Sequence, residues 1–403
     1  MITTINNKHK KLNVPNLRFP EFEEEWEKQK LCDISSIVGR IGFRGYTTND
    51  IVEKGMGAIA LSPTNIVNNQ LTYDKDNTYI SMSKYEESPE IMIKRGDVIF
   101  VKTGSTVGKV AYVDKMICKT TLNPQVVVLK DIKCDNYILS VIMSTRNFQN
   151  KIQRITVGGA VPTLSQVAMG NIFISLPAAK EQEKISKFIS LLDERITTQN
   201  KIIEDLKKLK SAIIEKLYSE IQGKEYSYRQ LFEIINERNN RLEFSNVLSA
   251  SQERGMVSRE DLNLDIKFER SNINTYKIVR NGDYVIHLRS FQGGFAFSDI
   301  VGVCSPAYTI MRPKDLLEYG YLSYYFTSRQ FIKSLVIVTY GIRDGRSINV
   351  DEWFDMKIVI PTKEQQRHIV RTIKVFENKI ENEEMYASCL LKQKQHLLRQ
   401  MFI

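Results

Sequence analysis

Two stretches of the chain carry the same apolar rhythm. After Pro177, apolar residues recur in alternating steps of four and three, at Ile185, Ile189, Leu192, Ile196, Ile203, Leu206, Ile213 and Leu217, with Gln199 and Lys210 interrupting. After Pro361 the same steps fall on Ile369, Ile373, Phe376, Ile380, Ala387, Leu390, Leu397 and Met401, with Glu383 and Lys394 interrupting. A mean step of about 3.5 residues is that of a coiled-coil seam. Every position of the second seam, the polar ones included, lies 184 residues beyond its counterpart in the first. Short apolar runs at 172–176 and 357–360 precede the two prolines and predict strands. Proline suits a first helical turn, and the Glu and Gln residues just after it suit the positive end of the helix dipole. Gly223 marks the predicted end of the first helix.

The polar interruptions bear on how the helices pair. A parallel pair in register would bring Lys210 against Lys394 and bury two like charges. An antiparallel pair would set each lysine beside an apolar residue, past which its stem could reach water, so antiparallel pairing is expected. Ahead of each helix lies a domain-sized segment that reads as α+β. Strands are predicted at 97–102 and 125–129 in the first and at 283–288 and 307–311 in the second, between Gly, Asn and Ser turns. The spacing of Trp26, Leu31 and Ile34 repeats in Tyr226, Leu231 and Ile234, and Arg95-Gly96-Asp97 repeats as Asn281-Gly282-Asp283. The expected organisation is a module at 1–177, a spacer helix at 178–223, a second module at 224–361 and a second helix at 362–403. Antiparallel helices would place the modules under a pseudo-twofold axis, which suits duplex DNA read at two separated places.

Composition adds little to this but excludes several classes. A chain of 403 residues with 42% hydrophobic and 26% charged residues suits two globular domains with connectors. The net charge of +10 and pI of about 9.1 suit a polyanionic partner. Cys32, Cys118, Cys134, Cys304 and Cys389 are odd in number and scattered, which fits reduced thiols better than disulfides or zinc. Residues 1–14 are polar and basic, unlike a signal peptide. No run approaches the roughly 20 apolar residues of a membrane span, and a cytoplasmic protein without a membrane partner is expected.

Pro15-Asn-Leu-Arg-Phe-Pro-Glu-Phe22, followed by Trp26-Glu27, resembles the opening of type I restriction-modification specificity subunits. So do Gly96-Asp97-Val98-Ile99 and the strand-proline-helix junctions at Pro177 and Pro361, and the resemblance spans nearly the whole chain. It implies two target recognition domains, each reading half of a bipartite, asymmetric site in double-stranded DNA. The helices would serve as spacer and as docking surfaces for two methyltransferase subunits, with restriction subunits joining that core. S-adenosylmethionine, ATP and magnesium would then belong to partner subunits, and no cofactor to this chain. The second module departs from the pattern, with Tyr226 in the tryptophan place and no Arg-Phe-Pro-Glu-Phe.

Motifs for catalysis are incomplete. Gly104-Ser-Thr-Val-Gly108-Lys109 has one residue too few between its glycines for a phosphate loop, and Val110 stands where Ser or Thr is required. Asn123-Pro124-Gln125-Val126 begins like an amino-methyltransferase motif but lacks its second proline and aromatic. The four histidines, His9, His287, His368 and His396, show no paired ligand spacing, so neither a catalytic nor a metal site is expected.

Base readout needs long polar side chains on loops that enter a groove, with cations around them for phosphates. In the first module Arg40, Arg44 and Tyr46 form one such cluster, and Lys102, Thr103, Ser105, Thr106 and Lys109 another. In the second the clusters are Ser251, Gln252 and Arg254, then Arg289, Ser290 and Gln292, then Arg343 and Arg346. Gly158-Gly159 occupies the place upstream that corresponds to the last of these. The competing reading is a coiled-coil scaffold or adaptor without sequence-specific readout, which leaves the duplicated basic modules without a purpose.

Overall fold

The computed structural model describes residues 3–4, 13–73, 76–251, 254–262, 270–287, 294–340 and 347–403. Two compact units emerge, residues 1–198 with 387–403, and residues 199–386.

In the first unit, besides a short Thr3–Thr4 and Leu17–Arg18 pair, the strands are β1 (Glu27–Lys30), β2 (Ser36–Gly39), β3 (Ile51–Val52), β4 (Ala58–Leu61), β5 (Ile66–Val67), β6 (Gln70–Leu71), β7 (Thr78–Ile80), β8 (Val98–Val101), β9 (Val110–Tyr112), β10 (Thr120–Leu122), β11 (Val126–Lys130) and β12 (Phe173–Leu176). A six-stranded sheet runs β2-β11-β8-β9-β6-β5, a four-stranded one β10-β4-β7-β3, and β12 pairs with β1. Val98-Ile-Phe-Val101 and Val126-Val-Val-Leu129 are unbroken apolar runs because both of their faces are buried. Val98, Phe100, Val127 and Leu129 face a core shared with helices Asn136–Ser144 and Arg146–Ile155. Ile99, Val101, Val126 and Val128 face the opposite core, with Ile59, Leu61 and Leu122 of the smaller sheet.

The second unit has β13 (Lys224–Ser227), β14 (Phe232–Ile235), β15 (Leu248–Ser251), β16 (Gly255–Ser258), β17 (Lys277–Val279), β18 (Tyr284–Ile286), β19 (Phe295–Phe297), β20 (Gly302–Cys304), β21 (Thr309–Pro313), β22 (Thr339–Tyr340), β23 (Ser347–Ile348) and β24 (Lys357–Ile360). Its largest sheet runs β14-β21-β18-β19, and β13 pairs with β24. Its central strands divide their side chains likewise, Tyr284, Ile286 and Met311 to one core and Val285 and Ile310 to the other. Both modules are therefore α+β, and both keep one turn before the central strand. Gly96 and Gly282 hold φ of 93° and 92°, open to glycine. The Asp97 and Asp283 carboxylates accept the Lys94 and Arg280 backbone N–H at 2.8 and 2.9 Å.

Two long helices, Ala179–Ser219 and Lys363–Met401, contribute to both units. In the first unit Ile185 and Ile189 share a core with Leu397 and Met401; in the second Ile214 and Tyr218 share one with Ile369 and Ile373. The start of one helix meets the end of the other in each unit, so they run antiparallel. The seam residues are buried or half-buried throughout. Near the end of the first helix the most buried positions are Ile214 and Tyr218, one past Ile213 and Leu217, because the helix also packs on the second module there.

Three expectations need correction. The first helix ends at Ser219, before Gly223. Gly223 instead passes the β24 end so closely that a Cβ would lie 2.1 Å from the Ile360 carbonyl oxygen. The 26-31-34 spacing does not map onto 226-231-234: Glu27 pairs with Leu176 and Lys224 with Ile360, so Leu31 answers to Tyr228, Ile34 to Leu231, and Gly223 stands in the place of Trp26. Accordingly Tyr226 is half-buried and Ile234 is exposed. Finally, the seam lysines do not merely extend past apolar neighbours: Lys210 meets Glu377 and Lys394 meets Asp193, because a carboxylate stands within reach of each.

Candidate nucleic-acid interface

In the first module β11 is antiparallel to both β2 and β8, so the latter two end at the same edge of the sheet, at Gly39 and Val101. The loops 40–46 and 102–109 leave from that edge. The Arg40 side chain is buried and spends its donors inward, Nε to the Leu122 carbonyl at 2.8 Å and Nη2 to Thr121 Oγ1 at 3.1 Å. Its Nη1 reaches the Arg44 carbonyl at 3.2 Å and the guanidinium lies 5.4 Å from the centre of the Tyr46 ring. Burial lowers the Arg40 pKa from its ordinary value and raises that of Tyr46. Arg40 thus shapes the loop from within, while Arg44 stands more exposed, 3.6 Å from Glu90.

The second loop is held at both ends by glycines in the left-handed region, Gly104 at φ 103° and Gly108 at φ 99°. Gln149 Nε2 donates to the Gly108 carbonyl at 2.8 Å, and a Cβ on Gly108 would lie 2.3 Å from Gln149 Oε1. Ser105 and Lys109 are exposed, whereas Lys102, Thr103 and Thr106 are half-buried. Lys109 Nζ donates to the Ile66 carbonyl at 3.3 Å.

This edge also carries a hairpin that sequence reasoning registered only as Gly158-Gly159. Val157 and Thr163 exchange backbone hydrogen bonds at 3.0 and 2.8 Å, and the Gly104 N–H donates to the Pro162 carbonyl at 2.9 Å. Its tip is apolar and outward, with Val157 73% and Val161 60% exposed. Apolar side chains of this size can read the thymine methyl group.

The second module repeats the edge. β21 is antiparallel to β14 and β18, whose last residues Ile235 and Ile286 pair with Ile310 and Thr309. The segments after Ile235 and Ile286 therefore leave together. His287 N–H donates to the Gly294 carbonyl at 2.8 Å, and Arg289, Ser290 and Gln292 lie outside the described residues. So do Gln252, Arg343 and Arg346. The other segment, 236–244, was missed from the sequence. Buried Asn239 braces it, donating to the Phe244 carbonyl at 2.8 Å and accepting the Phe244 N–H at 3.2 Å. Arg238, Asn240 and Arg241 are exposed on it, and the signal available was this Arg-Asn-Asn-Arg run, separated by two residues from a strand. Ser251 and Arg254 stand apart: the adjacent Gly255 passes close to the Phe297 carbonyl, beside Tyr284 and away from Ile286.

Among the described residues, no three His, Cys, Asp or Glu side chains converge as metal ligands would, and no described helix is long and apolar enough to cross a membrane.

Residues 23–208 match the type I restriction modification DNA specificity domain. These residues carry a type I restriction-modification specificity domain, and the chain is similar over most of its length to specificity subunits. It is 23% identical over 401 residues to a protein of Methanocaldococcus jannaschii assigned as the type I restriction enzyme MjaX specificity subunit, covering 93% of this chain and 92% of that one. With the MjaVIII specificity subunit of the same organism it shares 23% identity over 323 residues, 72% of this chain and 75% of the relative. Two solved structures share the fold. One, from work on complex assembly and conformational transition of the type I R-M system, superposes with a TM-score of 0.58 at 16% identity over 94% of this chain and 97% of its own. The other, the type I system S subunit from M. genitalium, gives 0.51 at 13% identity over 97% and 99%.

Proposed function

We propose that this chain is the DNA-reading subunit of a type I restriction-modification complex, each module recognising one half of a bipartite, asymmetric site in double-stranded DNA. The observation that carries the reading is the repeated sheet edge: in both modules two strands flanking an antiparallel third end side by side, and the described segments after them hold Arg44, Ser105 and Lys109 in one and Arg238, Asn240 and Arg241 in the other. Arginine and asparagine can contact base edges bidentately, while the lysines suit phosphates. The long helices would set the gap between half-sites and dock two methyltransferase subunits, to which restriction subunits attach. Methyl transfer, ATP hydrolysis and cleavage would belong to those partners, with S-adenosylmethionine, ATP and magnesium bound there.

Assembled with its methyltransferase partner, the chain is expected to shift duplex DNA and to lose on the order of a thousandfold in affinity between about 50 and 200 mM salt, as about six phosphate contacts require. Alone it is expected to transfer no methyl group. Binding indifferent to salt and sequence would favour the scaffold reading, and methyl transfer by this chain alone in a single turnover would overturn the assignment of chemistry to partners.

A further inference from the structure

Each seam lysine is met by the same three-part arrangement. In the first unit Lys394 Nζ pairs with Asp193 Oδ1, and Tyr137 OH donates to Asp193 Oδ2 at 2.7 Å. In the second unit Lys210 Nζ lies 3.4 Å from Glu377 Oε1, and Tyr324 OH donates to Glu377 Oε2 at 2.8 Å. The acids are repeat counterparts of one another and so are the lysines, each pair 184 residues apart. The charged side chains are between 18% and 28% exposed, and both tyrosines are half-buried. Burial, reinforced by the adjacent carboxylate, pushes both phenols well above their ordinary pKa, so each remains a donor.

The acid lies on the helix that follows its module, the lysine on the other helix, and the tyrosine on a short helix of the module itself, Asn136–Ser144 or Tyr321–Tyr325. One contact therefore ties three elements together, twice. Apolar residues at these places would pack without the desolvation cost that a half-buried ion pair carries. Polar residues in a seam are best attested as determinants of register and orientation, held at some cost in stability. We propose that the two Tyr–acid–Lys triads are positioning residues that fix the orientation of each module on the helix pair, and thereby the single number of base pairs accepted between half-sites. The proposal rests on the reading of the chain as a bipartite DNA reader. A displacement of a module's loops by about 3.4 Å along the duplex equals one base pair, so a small rotation suffices to change the gap.

The test uses the full complex in its host with mapping of methylated adenines. Two double variants are compared with wild type, Lys210→Leu with Lys394→Leu, and Tyr137→Phe with Tyr324→Phe. Both are expected to keep the two half-sites while methylation at gaps one base pair shorter or longer rises at least tenfold. The leucine variant leaves the Asp193 and Glu377 carboxylates without their cations and is expected to lower its unfolding midpoint, and Lys210→Arg with Lys394→Arg is expected to restore the single gap. A single gap retained in both variants, or loss of methylation at every gap in a complex that still assembles, overturns the proposal. A wild-type motif without two parts and a fixed gap would instead overturn the underlying reading.

Discussion

At the start of the first long helix, Gln182 is buried, its Nε2 on the Pro177 carbonyl at 2.8 Å and its Oε1 taking the Asp135 N–H at 2.8 Å. At the start of the second, Gln366 does the same with the Pro361 carbonyl at 3.0 Å and the Glu318 N–H at 2.8 Å. One residue earlier the two starts part. Glu181 is fully buried, gripped by Arg18 through Nε and Nη2 at 2.7 Å each, with Trp26 Nε1 at 3.2 Å. Gln365 is exposed and accepts from its own cap, the Thr362 N–H and hydroxyl, at 3.1 Å each. The repeated glutamine joins module to helix. The unrepeated glutamate exists because the opening Asn-Leu-Arg-Phe-Pro segment reaches it, and the second module has no such segment. Trp26 also packs edge-on against Phe402, whereas in the second module Trp353 stacks on Tyr228 at 4.1 Å and Gly223 occupies the Trp26 position. What repeats is the joint, and what differs is how each joint is sealed.

The largest expected effect lies in this difference. Glu181→Gln, which makes the first start resemble the second, leaves the Arg18 cation buried without its carboxylate and is expected to cost about 3–5 kcal/mol. Gln365→Ala removes an exposed cap contact and is expected to stay within about 1 kcal/mol. Urea unfolding of both variants checks the contrast; equal costs would mean that the two starts are energetically alike.

A smaller contrast separates the turns before the central strands. Asp283 is buried and bound at both oxygens by Arg312, at 2.9 and 3.0 Å, so Asp283→Asn is expected to cost about 2 kcal/mol. Asp97 meets Lys130 at the longer distance of 4.0 Å, and burial raises its pKa from the ordinary carboxylate value. A raised carboxyl pKa favours the fold when protonated, so that contribution is lost as pH rises through the folded value. Asp97→Asn is therefore expected to be nearly neutral at pH 7 and to flatten the stability profile between mildly acid and neutral pH. Unfolding midpoints across pH measure both, and a large loss from Asp97→Asn at neutral pH would erase the contrast.

The joint was legible in the sequence because its physics is periodic and local: apolar seams, a first-turn proline, a glycine–aspartate turn. The sealing was not. Arg18 and Glu181 are 163 residues apart, and nothing in spacing says that they meet. Trp26 and Tyr226 share a spacing with their neighbours by coincidence, which only strand pairing exposes. At the candidate interface, polarity marked Arg40 as a contact although its donors face inward, and the same reasoning passed over the apolar Val157–Val161 tip. Composition identifies a cluster; strand direction decides which clusters share an edge.

The central claim is that the two modules read separate halves of one site. The most direct measurement exchanges residues 224–360 for the matching module of a related subunit and maps methylated adenines after assembly with the partner subunits. The expected result is a motif in which one half-site changes while the other half and the gap stay as in the parent. Simultaneous change of both halves would contradict the account.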